Sequence, residues 1–534
     1  QAPQVRPLQR RLRWSWDWPG ILLMVAAAAV GTLLLLPPAY LLLRSVTADQ
    51  AALDLLFRTN TLQALSRTVI LAVTVTAASV VIAVPAAWLT VSTDLPGRRM
   101  WTVLASLPLV LPSFVVAYLA ASILGPRGLL QQTLDGWFGI ERLPDIYGWP
   151  GAFLVLTLMS YPYVLLSTRA ALQRMDSSLV EAARSLGMSP LRAFWRVTLP
   201  QLRPAIVAGS LLVALYVLRD FGAVAMMRYS TFTRVIYIQY QSFLNRSLAA
   251  AMALVLVGMT AAVLYLELHT RGNAGYSRRS AGAARACRPV KLGRWRWPAL
   301  AFMSSLVLVA LIMPAAGLLY WFLRGAVEGQ SLASLWQPAW SSVSISFMTA
   351  IITVMAALPV AVLSVRRPGR FSHLLERLTY AGYALPGIVI ALALVFFGVS
   401  YARPFYQTLV LLLVAYMILF VPQATGAART SLLQVSPSLE EAARSLGRRP
   451  LGVFRSVTLP LVRPGLAAGA ALVFLTAMKE LPATLILSPI GYRTLATSVW
   501  ASVSEAFFAQ AAAPALLLVI LSSVPLALLT FREK

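Results

Sequence analysis

A stretch of seven residues occurs twice in this chain without a single difference. It reads Glu-Ala-Ala-Arg-Ser-Leu-Gly and covers residues 181–187 and 441–447. The likeness continues downstream, where Val-Thr-Leu-Pro occurs at 197–200 and again at 457–460. The offset is constant at about 260 residues, close to half of the chain, and self-similarity at a fixed offset indicates an internal duplication. Whatever this chain folds into must therefore consist of two related halves.

The duplicated segments lie in a very apolar sequence. Hydrophobic residues make up 59% of the chain and charged residues 12%, against about 45–50% and 25% in soluble globular domains. The apolar residues form runs of about 20, the length that crosses a bilayer, and no polar stretch is long enough to bury a core of its own. We therefore predict an all-α polytopic membrane protein with about twelve transmembrane helices, in two pseudosymmetric six-helix halves. The predicted spans lie near 20–43, 64–90, 101–124, 149–172, 204–227, 248–268, 298–323, 342–364, 378–400, 405–428, 462–487 and 510–531.

The distribution of the net charge of +27 indicates an orientation in the membrane. Basic residues cluster in alternate loops, and with twelve spans all of these loops fall on one face, which the positive-inside rule makes cytoplasmic. Both termini are therefore predicted to be cytoplasmic. Anchoring at the lipid bilayer is sufficient to explain the charge, so we do not expect nucleic acid as a partner. The basic clusters lie at 6–13, 98–99, 271–296, 366–377 and 532–534.

The longest basic segment, 271–297, divides the chain. It is rich in Arg, Gly, Ala and Ser, a composition typical of a flexible linker. We predict a first half at 1–270 and a second half at 298–534, joined by this cytoplasmic linker. The linker contains Cys287, the single cysteine of the sequence, which excludes an intrachain disulfide and a thiolate metal site.

Each copy of the repeated segment has the features of a short capped helix. A serine three residues before the glutamate has the spacing of a capping box. The paired alanines are strong helix formers with little bulk, and the glycine provides a C-terminal stop. We predict exposed helices with a small-residue face in the loops 176–200 and 436–460, formed for contact with another protein. The residues concerned are Ser178, Glu181, Ala182, Ala183 and Gly187 in the first copy, and Ser438, Glu441, Ala442, Ala443 and Gly447 in the second.

A second short helix is predicted after each of these. Pro190 and Pro450 suit a first helical turn, and the Thr-Leu-Pro sequences are expected to end this helix before the next span. The alternative is an interfacial helix that only links two spans. Two identical copies on the same face of the membrane argue against that alternative, because a mere linker has no reason to keep the same surface twice.

The repeated pattern resembles the Glu-Ala-Ala loop in the membrane subunits of type I ATP-binding cassette importers. The family form is Glu-Ala-Ala, three residues, Gly, and then an apolar residue, Leu and Pro, as found here at 181–200 and 441–460. In that family the loop is a coupling helix that docks into a cleft on an ATPase subunit. The resemblance therefore implies the type I importer fold and a location in the bacterial inner membrane. It also implies two copies of a cytoplasmic ATPase and a periplasmic substrate-binding protein as partners, with this chain as the fused form of two membrane subunits.

The sequence contains no ATPase site of its own. None of its three lysines, Lys291, Lys479 and Lys534, ends a Gly-x-x-x-x-Gly-Lys-Ser/Thr loop, which a phosphate-binding P-loop requires. Two histidines, His269 and His373, are too few for a zinc enzyme. We therefore expect a transport subunit without catalytic residues or a cofactor, with ATP and Mg bound by the partner ATPase.

Two pairs of opposite charges interrupt apolar spans at equivalent positions, Arg219-Asp220 and Lys479-Glu480. A charge within the bilayer costs about 3 kcal/mol, so it normally faces a partner or a water-filled cavity. Successive helical residues point about 100° apart, so the members of a pair cannot satisfy each other fully. We predict that these four residues and Tyr216 line the translocation path. The alternative is a purely structural pairing of the charges.

The sequences around these pairs resemble those of the fused permeases of bacterial ferric-iron importers. The matching stretches are 220–224, 228–234 and 479–484. Fe(III) is a hard cation that prefers carboxylate and phenolate oxygen, so Asp220 and Glu480 could contact it in transit, without a stable metal site. The resemblance implies import of ferric iron, with thiamine, a phosphonate or another small solute as alternatives. An ion-gradient-driven secondary transporter is also built from six plus six helices, but it would not need duplicated coupling helices.

Polar and aromatic segments follow the charged pairs, at 229–246 and 490–510. We predict that they lie on the outer side and form short gate helices on which a binding protein rests, an ordinary loop being the alternative. The predicted contacts with the binding protein are Arg234, Tyr237, Tyr492 and Arg493.

Overall fold

The computed structural model describes residues 18–46, 57–126, 128–139, 143–175, 178–241, 246–271, 289–382 and 385–532. These residues are almost entirely helical, and the only β-structure among them is one isolated bridge. A helix satisfies its backbone hydrogen bonds internally, as a segment surrounded by lipid must. The all-α polytopic fold predicted from the sequence is confirmed.

The helices of the first half run from α1 to α12. One turn of 3₁₀-helix, Leu107–Val110, lies between α3 and α4, and a π-helical turn, Phe194–Thr198, connects α8 to α9. In chain order the helices are α1 Trp18–Val46, α2 Thr59–Ser92, α3 Arg98–Ser106, α4 Ser113–Leu124, α5 Leu129–Phe138, α6 Trp149–Arg174, α7 Ser178–Ser185, α8 Pro190–Ala193, α9 Leu199–Arg219, α10 Gly222–Met226, α11 Phe232–Gln241 and α12 Arg246–Arg271.

The second half follows a similar order, but α13 and α14 together stand where the first half has α1, and a 3₁₀ turn, Arg403–Phe405, stands in place of α5. Its π-helical turns are Leu308–Ile312, between α13 and α14, and Phe454–Thr458, between α20 and α21. In chain order the helices are α13 Arg296–Val307, α14 Met313–Val327, α15 Trp336–Arg366, α16 Arg370–Ala381, α17 Gly387–Tyr401, α18 Leu409–Gln434, α19 Pro437–Ser445, α20 Pro450–Val453, α21 Leu459–Met478, α22 Pro482–Leu487, α23 Leu495–Ser504 and α24 Phe508–Arg532.

Eleven helical segments of the described chain are long and apolar enough to cross a membrane. The shorter apolar helix α17 stands at the position of the remaining predicted span. Four predicted spans are not continuous helices. The spans near 101–124 and 378–400 are interrupted before Ser113 and Gly387, where the chain carries Pro112 and Pro386, because the residue before a proline avoids the α-helical conformation. Those near 204–227 and 462–487 break at the charged pairs.

The first membrane span of each half, α1 and the segment that ends in α14, packs against the other half. Helix α1 contacts α12 of its own half and α15, α16 and α17 of the second half. Helix α14 contacts α24 of its own half and α4 of the first. These crossed contacts bury apolar surface of both halves together, so the two halves form one continuous bundle.

Matching hydrogen bonds show that the pseudosymmetry extends to individual atoms. The Phe232 amide donates to Thr68 Oγ1 at 3.0 Å, and the Leu495 amide donates to Ser342 Oγ at 2.8 Å. The hydroxyls of Tyr229 and Tyr492 likewise donate to the carbonyl oxygens of Arg67, at 3.3 Å, and Ser341, at 2.9 Å. In each half the start of the short helix α11 or α23 is thus anchored to the long helix α2 or α15.

The end of the linker is ordered, which corrects the prediction of a flexible segment throughout 271–297. Residues 272–288, including Cys287, lie outside the described residues. Val290 forms a parallel bridge with Thr93: its amide donates to the Ser92 carbonyl at 2.8 Å, and its carbonyl accepts from the Asp94 amide at 3.2 Å. The Leu292 amide donates to Asp94 Oδ1 at 2.9 Å. The amino-acid composition of the linker does not predict these contacts, because backbone groups make most of them.

Candidate functional site

The two copies of the repeated segment form helices α7 and α19, each ending in the same turn. Gly187 and Gly447 adopt the left-handed conformation, with φ of +83° and +81°. The Met188 amide donates to the Ala183 carbonyl at 3.1 Å, and the Arg448 amide donates to the Ala443 carbonyl at 3.3 Å. Together with the bonds from the glycine amides this is a Schellman turn, which requires a residue that tolerates positive φ. The predicted glycine stop is confirmed in both halves.

The predicted capping box is wrong in the second half. Helix α19 begins one residue before Ser438, and its N-cap is Ser436, whose Oγ accepts from the Ser438 amide at 3.4 Å. Pro437 occupies the first helical position, which suits its fixed φ. The helix therefore begins earlier in the chain than predicted. In the first half α7 begins at Ser178, directly after two residues that the structure does not describe.

The exposed surfaces of α7 and α19 are closely similar, and each ends in an apolar tip. Leu186 and Leu446 are 82% and 83% exposed, and Glu181, Ala182, Glu441 and Ala442 are also exposed. The prediction of a small-residue face applies to only one alanine of each pair, because Ala183 and Ala443 are buried against their own halves. Each helix therefore presents a leucine next to a glycine turn, in the same arrangement on both halves.

The Thr-Leu-Pro sequences do not end the second short helix, contrary to the prediction. Helix α8 continues through the π-helical turn Phe194–Thr198 into α9, and α20 continues through Phe454–Thr458 into α21. Proline at the first or second position of α9 and α21 is tolerated there, because the π-helical turn has already changed the local hydrogen bonding. Each α7 or α19 is thus connected through one continuous helical segment to a charged pair.

The charged pairs lie at breaks in the helices and not within a continuous span, which corrects the predicted placement. Arg219 is the last residue of α9 and Asp220 its C-cap, and α10 begins at Gly222. Lys479 is the C-cap of α21, and α22 begins at Pro482. Each break leaves free amide groups at the start of the following helix, and the acidic residues lie next to them.

Asp220 is buried, and protein donors occupy both of its carboxylate oxygens. Oδ1 accepts from the amides of Ala223, at 2.9 Å, and Val224, at 3.4 Å. The Ser113 hydroxyl, in the first turn of α4, donates to Oδ2. The carboxylate thus lies where the N-termini of α4 and α10 converge, and both helix dipoles stabilise a negative charge there.

Glu480 occupies the equivalent position in the second half. Its Oε1 accepts from the Ala483 amide at 3.3 Å and lies so close to Gly387, the first residue of α17, that a β-carbon there would clash. Arg219 of the first half is near enough to interact electrostatically with Glu480. Lys479 Nζ donates to the carbonyl of Leu109, in the 3₁₀ turn of the first half, at 3.2 Å.

The structure thus brings Arg219, Asp220, Lys479 and Glu480 to one region between the halves. The basic side chains reach across to the opposite half, whereas the acidic ones cap helices of their own half. Tyr216, one turn before Asp220, packs its ring 5.7 Å from that of Tyr163. The part of these residues in a translocation path stays a prediction, and the contacts of Asp220 also fit a structural role.

The segments predicted to be gate helices do form the short helices α11 and α23. Tyr237 of α11 and Trp500 of α23 occupy matching positions, and their rings meet edge to face at 6.2 Å. Phe221 lies beside both, at 4.8 Å from Tyr237 and 5.3 Å from Trp500. We call Phe221, Tyr237 and Trp500 the aromatic cluster. It joins the two halves beside the charged breaks.

The four residues predicted to touch a binding protein differ in their placement. Arg493 is exposed and Arg234 is half-buried. Burial lowers the pKa of the Arg234 guanidinium, and the nearby charge of Arg228 lowers it further. Tyr237 is only 9% exposed, and Tyr492 is half-buried with its hydroxyl on Ser341. In this conformation the two arginines are therefore more accessible to a binding protein than the two tyrosines.

Sequence reasoning missed several residues of this region. Trp500 could have been found by aligning the halves, since it stands where the first half has Tyr237. Ser113 carried no signal, because its contact with Asp220 joins residues more than a hundred positions apart. Glu440 could have been noticed as a departure from the repeat, since the matching residue of the first half is Val180.

Comparison with known proteins identifies relatives along almost the whole chain. The family described as "Binding-protein-dependent transport system inner membrane component" matches twice, at residues 79–271 and 352–532. The chain is 35% identical to "Fe(3+)-transport system permease protein FbpB 2" of Haemophilus influenzae, over 96% of this chain and 98% of that protein.

Two further relatives match over shorter regions. "Ferric transport system permease protein FbpB" of Actinobacillus pleuropneumoniae is 24% identical over 71% of this chain and 58% of its own length. "Molybdenum transport system permease protein ModB" of Escherichia coli is 39% identical over 26% of this chain and 58% of its own length.

Proposed function

This chain belongs to the family of inner-membrane components of binding-protein-dependent transport systems, and we propose that it is the permease of an ATP-driven ferric-iron importer. A periplasmic binding protein would deliver the substrate to the end that carries α11 and α23. Two copies of a cytoplasmic ATPase would dock on α7 and α19 and bind ATP and Mg. The chain itself is a transport subunit without an enzymatic activity of its own.

The observation that carries this proposal is that α7 and α19 expose the same short sequence at the same kind of turn. Residues 181–187 and 441–447 are the same, and their tips, Leu186 and Leu446, are almost equally exposed. Two copies of one partner protein require two equal docking surfaces. The flanking residues differ: Glu440 is buried where the first half has the half-buried Val180, and exposed Arg448 and Arg449 stand where the first half has Met188 and Ser189.

The proposal of ferric iron is supported by the Haemophilus influenzae relative, whose name specifies Fe(3+) and which aligns over nearly its full length. The carboxylates of Asp220 and Glu480 are hard oxygen donors of the kind that Fe(III) prefers. The match to a molybdenum permease covers about a quarter of the chain, so it supports the class of transporter more than a substrate.

The orientation is part of the same proposal. Helices α7 and α19, the ordered end of the linker and most basic loops belong to one side, which the positive-inside rule makes cytoplasmic. Both termini would then lie in the cytoplasm of a bacterial cell. The division into halves at 1–270 and 298–534 is proposed on the same grounds.

The decisive test is uptake of radioactive ferric iron by proteoliposomes that contain the chain with its co-purified ATPase. Iron-loaded binding protein is supplied outside and ATP inside. We expect accumulation that needs all three components, and none when ATP is replaced by a non-hydrolysable analogue. Uptake driven by an ion gradient without ATP would instead identify a secondary transporter. ATP-dependent transport of thiamine, a phosphonate or molybdate, but not iron, would retain the class and reject the substrate.

A further inference from the structure

The second coupling helix differs from the first at one buried position. Glu440 precedes the identical stretch 441–447, and it is 8% exposed although it is charged. A buried carboxylate is unfavourable unless it is paired and hydrogen-bonded. The matching residue of the first half, Val180, has no polar group. The repeated surface is thus attached to the rest of each half by different side chains.

Three hydrogen-bond donors converge on the Glu440 carboxylate, and Arg444 Nη2 lies 4.0 Å from its other oxygen, Oε2. Arg366, the last residue of α15, approaches Oε1 with Nε at 3.1 Å and Nη2 at 2.9 Å. Thr458, the last residue of the π-helical turn before α21, donates its hydroxyl to the same oxygen at 2.9 Å. Arg366 Nη2 also donates to the carbonyl of Val435, just before α19, at 3.0 Å. We call Arg366, Glu440 and Thr458 the clamp.

The clamp joins three separate elements at one point. It links the end of α15, the start of α19 and the helical turn that leads into α21, and its two charged side chains are largely buried. Hydrogen bonds to charged groups are stronger than those between neutral groups. Removal of one partner from a buried pair leaves an uncompensated charge. The first turn of α19 is therefore held to the ends of two long helices.

At the three positions that match the clamp, the first half carries different side chains except for the threonine. The residues that match Arg366, Glu440 and Thr458 are Ser92, Val180 and Thr198. The Ser92 carbonyl instead accepts from the amide of Val290, in the ordered end of the linker. The end of α2 in the first half is thus hydrogen-bonded to the linker, whereas the matching end of α15 in the second half holds Glu440 through the clamp.

We propose that Arg366, Glu440 and Thr458 are positioning residues that make the second coupling helix the more rigidly attached of the two. The two ATPase copies then meet closely similar surfaces with unequal mechanical connections to the membrane helices. The difference in attachment does not require a partner protein. Only its consequence for transport rests on the proposed function.

Amide hydrogen exchange of the isolated chain in nanodiscs tests the attachment directly. Residues 181–187 and 441–447 have the same sequence, so the intrinsic exchange rates of their internal amides are equal and any difference reports structure. We expect the amides of 442–446 to exchange more slowly than those of 182–186. Glu440→Gln should raise the rates in 442–446 about tenfold, while Val180→Gln leaves that segment unchanged.

The charge-reversed variant Arg366→Glu/Glu440→Arg separates the ion pair from a general need for these residues, since it should restore at least part of the slow exchange. Thr458→Val removes one donor without adding a charge, so it should give a smaller increase than Glu440→Gln. It also tests the clamp if Glu440→Gln does not fold. Equal exchange of the two segments in the unaltered chain would overturn the proposal. So would an unchanged rate in both Thr458→Val and Glu440→Gln.

The consequence for coupling is measured with the ATPase that co-purifies with the chain. Glu440→Gln should lower the amount of substrate transported per ATP hydrolysed, and the charge-reversed variant should recover part of it. If no ATPase binds the unaltered chain, the proposed function fails while the exchange result stands. If ATPase binds but Glu440→Gln retains normal coupling and normal exchange, the clamp alone is rejected.

Discussion

At the scale of single residues, the acidic members of the charged pairs have a second role besides the one predicted. Asp220 and Glu480 each accept from an amide at the start of the helix after the break. Each also approaches the first residue of another helix, Ser113 or Gly387. A carboxylate is a good cap for such a helix end. These residues therefore shape the breaks whether or not a cation passes them.

The neutral variants Asp220→Asn and Glu480→Gln test both roles. We expect both to assemble with the ATPase but to reduce iron uptake, because they remove negative charge from the candidate path and weaken each cap by about 1 kcal/mol. Ser113→Ala is the matched control, since it removes the donor to Asp220 without a change in charge. Uptake and thermal stability in detergent are measured together. Normal uptake by both neutral variants would reject the path role, and equal losses in Asp220→Asn and Ser113→Ala would make the role structural.

At the scale of elements, the glycine turns that end α7 and α19 have the most specific geometry of the proposed docking surface. Gly187 and Gly447 have positive φ, and the positions where β-carbons would stand have no heavy atom within 4 Å. In the isolated chain the positive φ, and not contact with neighbouring atoms, therefore limits which residue types these two positions tolerate.

Valine in place of Gly447 should disturb the turn by about 1–2 kcal/mol, because a β-branched residue disfavours positive φ. We expect the Gly447→Val chain to insert normally and to retain less ATPase during purification. Gly187→Val should behave alike. Gly447→Asn is the control, since asparagine tolerates this conformation. If Gly447→Val retains ATPase and transports normally, the coupling role is wrong, whereas loss in Gly447→Asn as well would indicate that the partner contacts the glycine itself.

The aromatic cluster gives a second prediction at this scale. The rings of Tyr237 and Trp500 come from the two halves, and an aromatic pair of this kind contributes about 0.5–1.5 kcal/mol. Trp500→Ala should therefore favour separation of α11 from α23 and raise ATP hydrolysis in the absence of binding protein. Trp340→Ala, which removes an exposed tryptophan of the same half, is the control. Equal basal hydrolysis in both variants would show that the cluster does not hold a gate closed.

At the scale of the whole molecule, the crossed packing of α1 and α14 joins the two halves at several points, and the bridge between Val290 and Thr93 fixes the end of the linker to the first half. The covalent linker is thus only one of the connections between them. Relative motion of the halves must therefore occur around shared contacts, as in a hinge, and not by free separation.

The orientation of the molecule is tested through Cys287, the single cysteine. The charge distribution predicts that the linker is cytoplasmic. A membrane-impermeant maleimide should therefore leave Cys287 unmodified in sealed spheroplasts and label it after lysis. A cysteine introduced at exposed Arg493 in a Cys287→Ser background is the control, and it should react in sealed spheroplasts. The reverse pattern would invert the proposed topology.

Duplication, hydropathy and charge distribution, all of them properties of the sequence alone, specify the class of this protein. They define two six-helix halves, their membrane location and the two glycine-ended helices, because these features depend on local sequence and on burial in lipid. The breaks at Asp220 and Glu480, the aromatic cluster and the clamp were decided by tertiary structure. Each of them joins groups that are distant in the chain, such as Lys479 Nζ to the Leu109 carbonyl and Arg366 to the Glu440 carboxylate. The residue pattern along one helix does not specify how close another helix lies. Only the packing of the helices therefore determines which charged group contacts which carbonyl.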